Sequence, residues 1–156
     1  EEALPVSDRI IVMSNARIAQ EGAPRELYEQ PINAFVADFI GDANLLDVTI
    51  RSVAGDTAET ALGPAILSLP ARGLPPGPAR IAIRPESLLI DGPAAGASLP
   101  GTVRKCTYLG NHQDIMVATE LGELFVVRHG THGMLAPGTP VTLGFAGSGV
   151  TLIPPA

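Results

Sequence analysis

From Leu46 onward, apolar and polar residues alternate in short stretches. Leu46, Val48 and Ile50 are separated by polar residues, and this period of two predicts a β-strand with one buried and one solvated face. Seven further short apolar stretches predict strands at Ala65 to Leu69, Arg80 to Arg84, Gly101 to Leu109, Ile115 to Thr119, Leu124 to Arg128, Val141 to Phe145 and Val150 to Ile153. Pro and Gly are dense in residues 70–78 and 91–100, which are predicted loops. Many short strands at close spacing predict a mainly β fold that closes, or nearly closes, into a barrel.

The first 44 residues have a different pattern. Glu1 to Asp8 is predicted as the end of a helix. An apolar strand at Arg9 to Met13 and a return strand at Arg17 to Glu21 then form a predicted hairpin around a tight turn. Ala16 stands where a turn would favour Gly, so Asn15 alone is expected to adopt a positive φ.

Two short helices are predicted after the hairpin. The first, Ala23 to Gln30, carries Pro24 at its first helical position, where the missing N–H costs nothing. The second, Ala34 to Ile40, follows Asn33 as a predicted N-cap and has an apolar face that suits a core. The change of pattern between Gly41 and Asn44 predicts a domain boundary, with residues 1–44 in one unit and residues 45–156 in a β-barrel.

Composition excludes several classes of partner. The formal net charge of −6 and the sequence pI of about 4.9 argue against nucleic acid, whose phosphates are bound by clustered Lys and Arg. Tyr28 and Tyr108 are the only tyrosines, and they are too few and too isolated to form a platform for base stacking. No apolar run approaches the roughly 20 residues that span a bilayer, so a soluble chain is expected.

Arg84, Pro85 and Glu86 form the most promising polar group. They end a predicted strand, and we interpret them as a contact that closes the barrel or meets a second subunit. The alternative is a strand that Pro85 terminates, flanked by two solvated charges, because charged pairs at surfaces are common and weak. A structural role is favoured over ligand binding.

No other group of residues predicts chemistry. His129 and His132 flank a Gly-containing loop and His112 lies elsewhere in the sequence, whereas a metal site needs three or four converging ligands. The single cysteine, Cys106, is expected to be buried and inert. We therefore predict no catalytic, cofactor-binding or metal-binding residue in this chain.

Residues 1–46 resemble a known family. They contain, in this order, the patterns E-A, S-D-R-I-x-V-M, R-I, G-x-P-x-E-L-Y-x-x-P, F-V-A-x-F-I-G and N-L-L. This order is similar to the C-terminal part of the ATP-binding subunit of ABC importers of the spermidine/putrescine, iron or sugar type. In that family the phosphate-binding loop and the Mg²⁺-binding acidic strand lie upstream. The pattern G-x-x-x-x-G-K-[ST] is absent from these 156 residues, so the chain is expected to be a fragment that does not itself hydrolyse ATP.

The later residues resemble a second module of the same family. Four stretches are similar to the TOBE domain, an OB-like β-barrel that follows the nucleotide-binding domain in many importers. They are Ile81-Ala82-Ile83-Arg84-Pro85-Glu86, Gly101-Thr102-Val103, Tyr108-Leu109-Gly110 and Leu135-Ala136-Pro137-Gly138. Tyr108 to His112 most resembles members that transport polyamines, iron or related small solutes.

These resemblances imply a function for the parent protein. They imply ATP and Mg²⁺ as cofactors there, none in this chain, and a homodimer that works with permease subunits at the inner face of the cell membrane. The barrel is then expected to regulate or dimerise the ATPase, with a polyamine as a candidate solute. The alternative is an independent OB-like module that binds a small ligand.

Overall fold

The computed structural model describes residues 9–92 and 97–155. Within them the protein is mainly β, with two five-stranded antiparallel sheets, one hairpin and two short helices. This confirms the predicted fold class. The helix end predicted at Glu1 to Asp8 lies outside the described residues. None of the helices in the described part of the chain is long and apolar enough to span a bilayer.

The N-terminal hairpin consists of β1 (Ile10–Ser14) and β2 (Arg17–Gly22). The expectation that Asn15 alone has a positive φ is wrong, because Asn15 has a φ of 52° and Ala16 a φ of 61°. Two successive positive φ values are what a two-residue turn needs to match the twist of the strands it joins. Alanine therefore accepts a conformation for which glycine is better suited.

The two predicted helices are confirmed as α1 (Pro24–Glu29) and α2 (Ala34–Ile40). Asn33 caps α2, since its side-chain oxygen accepts a hydrogen bond from the backbone N–H of Val36 at 3.0 Å. A small core between the hairpin and the helices consists of four buried residues, Val12, Leu27, Val36 and Ile40.

The first sheet has the order β12-β6-β3-β4-β5. Its strands are β3 (Asn44–Ala54), β4 (Thr57–Leu62), β5 (Ala65–Pro70), β6 (Gly77–Ile83) and β12 (Val150–Ile153). Strand β4 was not predicted, and its buried positions are Ala58, Thr60 and Leu62. Two of these three are small or polar, so the alternation of burial is not an alternation of hydrophobicity.

The second sheet has the order β10-β9-β8-β11-β7. Its strands are β7 (Leu88–Ile90), β8 (Leu99–Tyr108), β9 (His112–Thr119), β10 (Gly122–His129) and β11 (Pro140–Phe145). Strand β7 was not predicted, and it is only three residues long. The segment predicted as a loop up to Pro100 is shorter than expected, because β8 begins at Leu99.

One apolar core serves both sheets. Its fully buried members include Ile81 and Ile83 from the first sheet and Leu99, Ile115 and Leu143 from the second. In chain order, four strands of the first sheet and all five of the second precede β12, which pairs with β6. The two sheets are therefore one folding unit.

Candidate functional site: the contact between the N-terminal segment and the barrel

Arg84 lies at the centre of the contact between residues 9–42, here called the N-terminal segment, and the β-barrel. It follows the last residue of β6 and precedes a 3₁₀ turn at Pro85–Ser87. Its backbone N–H donates to the Gly149 carbonyl at 2.9 Å, and only 2% of its surface is exposed. The alternative interpretation of a solvated charge at this position is therefore excluded.

The Arg84 guanidinium binds main-chain carbonyls of the N-terminal segment. Nε donates to the Tyr28 carbonyl at 2.9 Å. Nη1 is within hydrogen-bond distance of the carbonyls of Ala37, Gly41 and Asp42, at 3.0 to 3.1 Å. These carbonyls belong to the last residues of the two helices and the turn after them, where a helix leaves its acceptors unsatisfied. Arg84 thus fixes the ends of both helices to the barrel.

Tyr28 connects Arg84 to Glu86. The guanidinium carbon lies 4.2 Å from the centre of the Tyr28 ring, a cation–π geometry, and the Tyr28 hydroxyl donates to the Glu86 carboxylate. Burial, and then the hydrogen bond and charge of Glu86, raise the pKa of Tyr28 well above its usual range. Burial lowers the pKa of Arg84, which neighbouring groups partly oppose.

Two further side chains form hydrogen bonds close to Arg84 in the sequence or the fold. Asn44, at the start of β3, donates to the carbonyls of Ile83 and Phe125 and accepts from the Phe125 N–H at 2.8 Å. Ser87 donates to the Ser148 carbonyl at 2.8 Å. Asn44 therefore joins the two sheets at the place where the barrel begins.

A second arginine, Arg72, binds the N-terminal segment at a different place. It is exposed, has a φ of 54° and follows β5. Its Nη1 donates to the Pro31 carbonyl at 2.9 Å and to the Leu152 carbonyl at 2.8 Å. Nearby, the Thr151 hydroxyl donates to the Glu29 carbonyl. Although the residue is exposed overall, partial burial of its guanidinium lowers the pKa of Arg72.

The structure brings the predicted group together with residues that sequence reasoning missed. Arg84, Pro85 and Glu86 face the N-terminal segment, and Pro85 is buried. A role of these residues at a contact with a second subunit stays a prediction, as does the division into domains at residue 44. Tyr28, Asn44 and Arg72 were missed, because their partners are distant in sequence and are mostly main-chain carbonyls.

The other candidates do not form a site in the described residues. The rings of His112 and His129 lie 5.8 Å apart, and His132 contacts the His129 carbonyl. Among residues 9–92 and 97–155, no group of three or more His, Cys, Asp or Glu side chains is placed to hold a metal ion. Cys106, expected to be buried, is half-buried and lies 3.9 Å from the Met134 sulfur.

Known proteins resemble this chain over most of its length. The TOBE domain family matches residues 81–153. The chain is 44% identical over 153 residues to the Fe(3+) ions import ATP-binding protein FbpC 1 of Rhizobium meliloti, an alignment that covers 98% of this chain and 43% of the relative. It is 37% identical over 152 residues to the spermidine/putrescine import ATP-binding protein PotA of Ruegeria pomeroyi, covering 94% of this chain and 41% of that protein. The chain thus spans less than half the length of these relatives.

A solved structure shares the fold. The cytoplasmic molybdate-binding protein ModG, in a form with molybdate bound, aligns with a TM-score of 0.54 and 18% identity over 70% of this chain and 94% of that one. This likeness supports the OB-like, barrel-forming architecture and nothing further.

The matched strands of the barrel therefore form a TOBE domain. Over nearly its whole length the chain is homologous to ATP-binding subunits of ABC importers, of which it spans less than half.

Proposed function

We propose that this chain is the C-terminal regulatory and dimerisation region of an ATP-binding subunit that couples ATP hydrolysis to solute import. The observation that carries the proposal is the 44% identity, across 98% of the chain, to a subunit named for Fe(3+) import. ATP and Mg²⁺ would bind in the upstream part of the parent protein. The residues present here do not fit them, because the sequence has no Gly-rich phosphate-binding loop and its lysine, Lys105, is exposed on a strand.

The proposed solute is ferric ion. The relatives named for Fe(3+) import are 40 to 44% identical to this chain, whereas the relative named for spermidine and putrescine import is 37% identical. A polyamine, the solute suggested by the sequence analysis, is the second candidate. Its support is that the alignment with the polyamine relative still covers 94% of the chain.

The proposed partners are a second copy of the subunit and a pair of permease subunits, which would hold the protein at the cytoplasmic face of the membrane. Regulation would pass through the contact between the N-terminal segment and the barrel. Arg84 and Arg72 join these parts by hydrogen bonds to six main-chain carbonyls of the N-terminal segment. A ligand or partner that prefers one arrangement of this contact would shift activity by its difference in affinity between the two states.

Uptake measurements on the parent gene test the solute. A strain lacking the gene, with and without the full-length gene restored, would be assayed for uptake of radioactive Fe(III) and of radioactive spermidine. Loss of iron uptake alone, with recovery on complementation, is expected. Loss of spermidine uptake alone would favour the polyamine. If neither changes, the importer proposal fails and an independent small-ligand module becomes the better hypothesis.

Light scattering on the purified parent protein tests the dimer. The proposal expects a mass twice that of one chain. A monomer under all conditions, including with ATP and Mg²⁺, would contradict the dimerisation role without affecting the assignment of the solute.

A further inference from the structure

An open groove lies between β5 and β12, the two end strands of the first sheet. Its volume is about 520 Å³, which is within the range of about 300–1,000 Å³ that is usual for small-molecule sites. Consecutive residues of both strands line it, Ile66 to Pro70 and Val150 to Leu152, so the main-chain edges of the strands face the groove. In the described residues, β5 pairs only with β4 and β12 only with β6.

Arg72 provides a positive charge at the end of this groove. Among the residues that the structure describes, no carboxylate lies within ion-pair distance of its guanidinium, which binds main-chain carbonyls instead. Glu29 also lines the groove, but Arg25 lies 3.1 Å from its carboxylate and offsets its charge. A carboxylate in the groove would give Arg72 an acceptor that is itself charged, which neutral carbonyls cannot provide.

Part of the wall of the groove is apolar. Leu67 is 8% exposed, and Leu69, Phe145 and Val150 are half-buried around it. A small inorganic anion on Arg72 would leave this surface in water. An occupant with an apolar portion would cover it, and each buried methylene group contributes about 0.8 kcal/mol.

We propose that the groove between β5 and β12 binds a small organic monocarboxylate, with its carboxylate on Arg72 and its apolar chain against Leu67, Leu69 and Phe145. The site joins the barrel to the N-terminal segment, because Arg72 also binds the Pro31 carbonyl. The inference concerns binding by this chain, so it does not depend on which solute the parent protein imports.

Binding is tested with hexanoate as the probe. Amide chemical shifts of the ¹⁵N-labelled 156-residue chain would be followed during titration. We expect saturable shifts centred on β5, β12 and Arg72, with a Kd on the order of 1 mM for so small a ligand. The net charge of −6 disfavours unspecific binding of anions, so saturation would indicate a defined site. Sulfate and hexanol are the comparison probes for charge and apolarity.

Two pairs of variants locate the site. Gly147 lines the groove, and a Cβ there meets nothing within 4 Å, so Gly147→Leu should fill the groove and abolish the shifts while the rest of the spectrum is unchanged. Gly133→Leu is its control, since Gly133 is equally open and lies elsewhere. Arg72→Gln should weaken hexanoate about tenfold, whereas Arg51→Gln, which removes an exposed charge on β3, should not.

The outcomes are distinct. Saturable binding that is lost in Gly147→Leu and weakened in Arg72→Gln supports the proposal. No saturation, or shifts that both glycine variants retain, overturns it. Equal affinity for sulfate would mean an inorganic anion site, and equal affinity for hexanol would mean an apolar site without a role for Arg72. Should Gly147→Leu fail to fold, the comparison of Arg72→Gln with Arg51→Gln decides the question.

Discussion

Two arginines of the barrel hold the same N-terminal segment, in opposite ways. Arg84 is 2% exposed, contacts four carbonyls and the Tyr28 ring, and is enclosed by the helices. Arg72 is exposed, contacts fewer carbonyls and borders an open groove. The Arg84 guanidinium is inaccessible to solvent and its Nε and Nη1 are occupied by carbonyls of the protein, although its buried Nη2 has no hydrogen-bond partner among the described residues. The Arg72 guanidinium is exposed, has no carboxylate partner among the described residues, and can still bind another group.

The comparison predicts that the two arginines differ strongly in their effect on stability. Arg84→Met removes the charge but keeps much of the volume, and leaves four carbonyls in buried or partly buried positions without this donor. Because each unsatisfied buried group costs roughly 1–3 kcal/mol, the free energy of unfolding should fall by about 3–4 kcal/mol. Arg72→Met should lower it by about 1 kcal/mol, since water can replace its hydrogen bonds. Urea denaturation measures both, and equal losses would contradict the comparison.

Gly149 lies at both the Arg84 contact and the groove, and its substitution is expected to have the next largest effect on the free energy of unfolding. Its carbonyl accepts from the Arg84 N–H, it lines the groove, and its φ is 76°. A Cβ at this position would overlap the Ser87 side chain, so Gly149→Ala should cost about 2–3 kcal/mol from strain and collision together. Gly138→Ala is the control, because its φ is 92° and a Cβ there meets nothing within 4 Å. It should cost about 1 kcal/mol, measured by thermal unfolding.

The ionisation of Tyr28 is expected to make the folding stability of the protein depend on pH. The pKa of Tyr28 is raised, chiefly by burial and then by Glu86. The stabilisation that this shift provides is fully present below the unfolded-state pKa of about 10 and decreases as the pH rises from there towards the folded-state pKa. Tyr28→Phe should cost about 1 kcal/mol at pH 7 and should flatten the fall in stability above pH 10.

Urea denaturation between pH 8 and pH 11 measures this effect. The control is Tyr108→Phe, which alters an exposed tyrosine away from the contact. If Tyr28→Phe leaves the alkaline slope unchanged, the phenol does not contribute to the pH dependence of folding.

The smallest loss of folding stability is expected for a substitution on the Arg72 side of the contact. Thr151→Val retains the shape of the side chain but removes the hydrogen bond from its hydroxyl to the Glu29 carbonyl. Since Glu29 lies near the open groove, water can take its place, and the loss should be about 0.5 kcal/mol. Thr49→Val, at an exposed position of β3, is the control. A loss above about 2 kcal/mol for Thr151→Val would mean that water has as little access to this side of the contact as to the Arg84 side.

Sequence patterns predicted the elements well wherever burial follows hydrophobicity. Strand β12 has the predicted bounds, and both helices begin where Pro24 and Asn33 indicated. Strand β4 was missed because Ala and Thr occupy buried positions, and neither distinguishes a strand from a loop. Ala16 was misjudged because the twist of the hairpin overrides the preference of a single residue.

The candidate site was only partly predictable. Arg84 could be selected because it ends a strand beside Pro85, but its partners are main-chain carbonyls more than 40 positions away in the chain. A carbonyl group is present at every residue and leaves no signature in the sequence. Arg72 lay in a segment predicted as a loop, and only the arrangement of β5 beside β12 gives it a groove.

Because β12 is the last strand of the chain to pair with the first sheet, the first sheet cannot be completed until the end of this region has been synthesised. Val150 pairs with Ile83, and the whole second sheet is synthesised between them. At roughly 5–20 residues per second, the nascent chain displays the open edge of β6 for several seconds before the strand that covers it emerges. We therefore expect chaperone demand during synthesis to be concentrated on β6, and slower translation of the second sheet to lower the yield of folded protein.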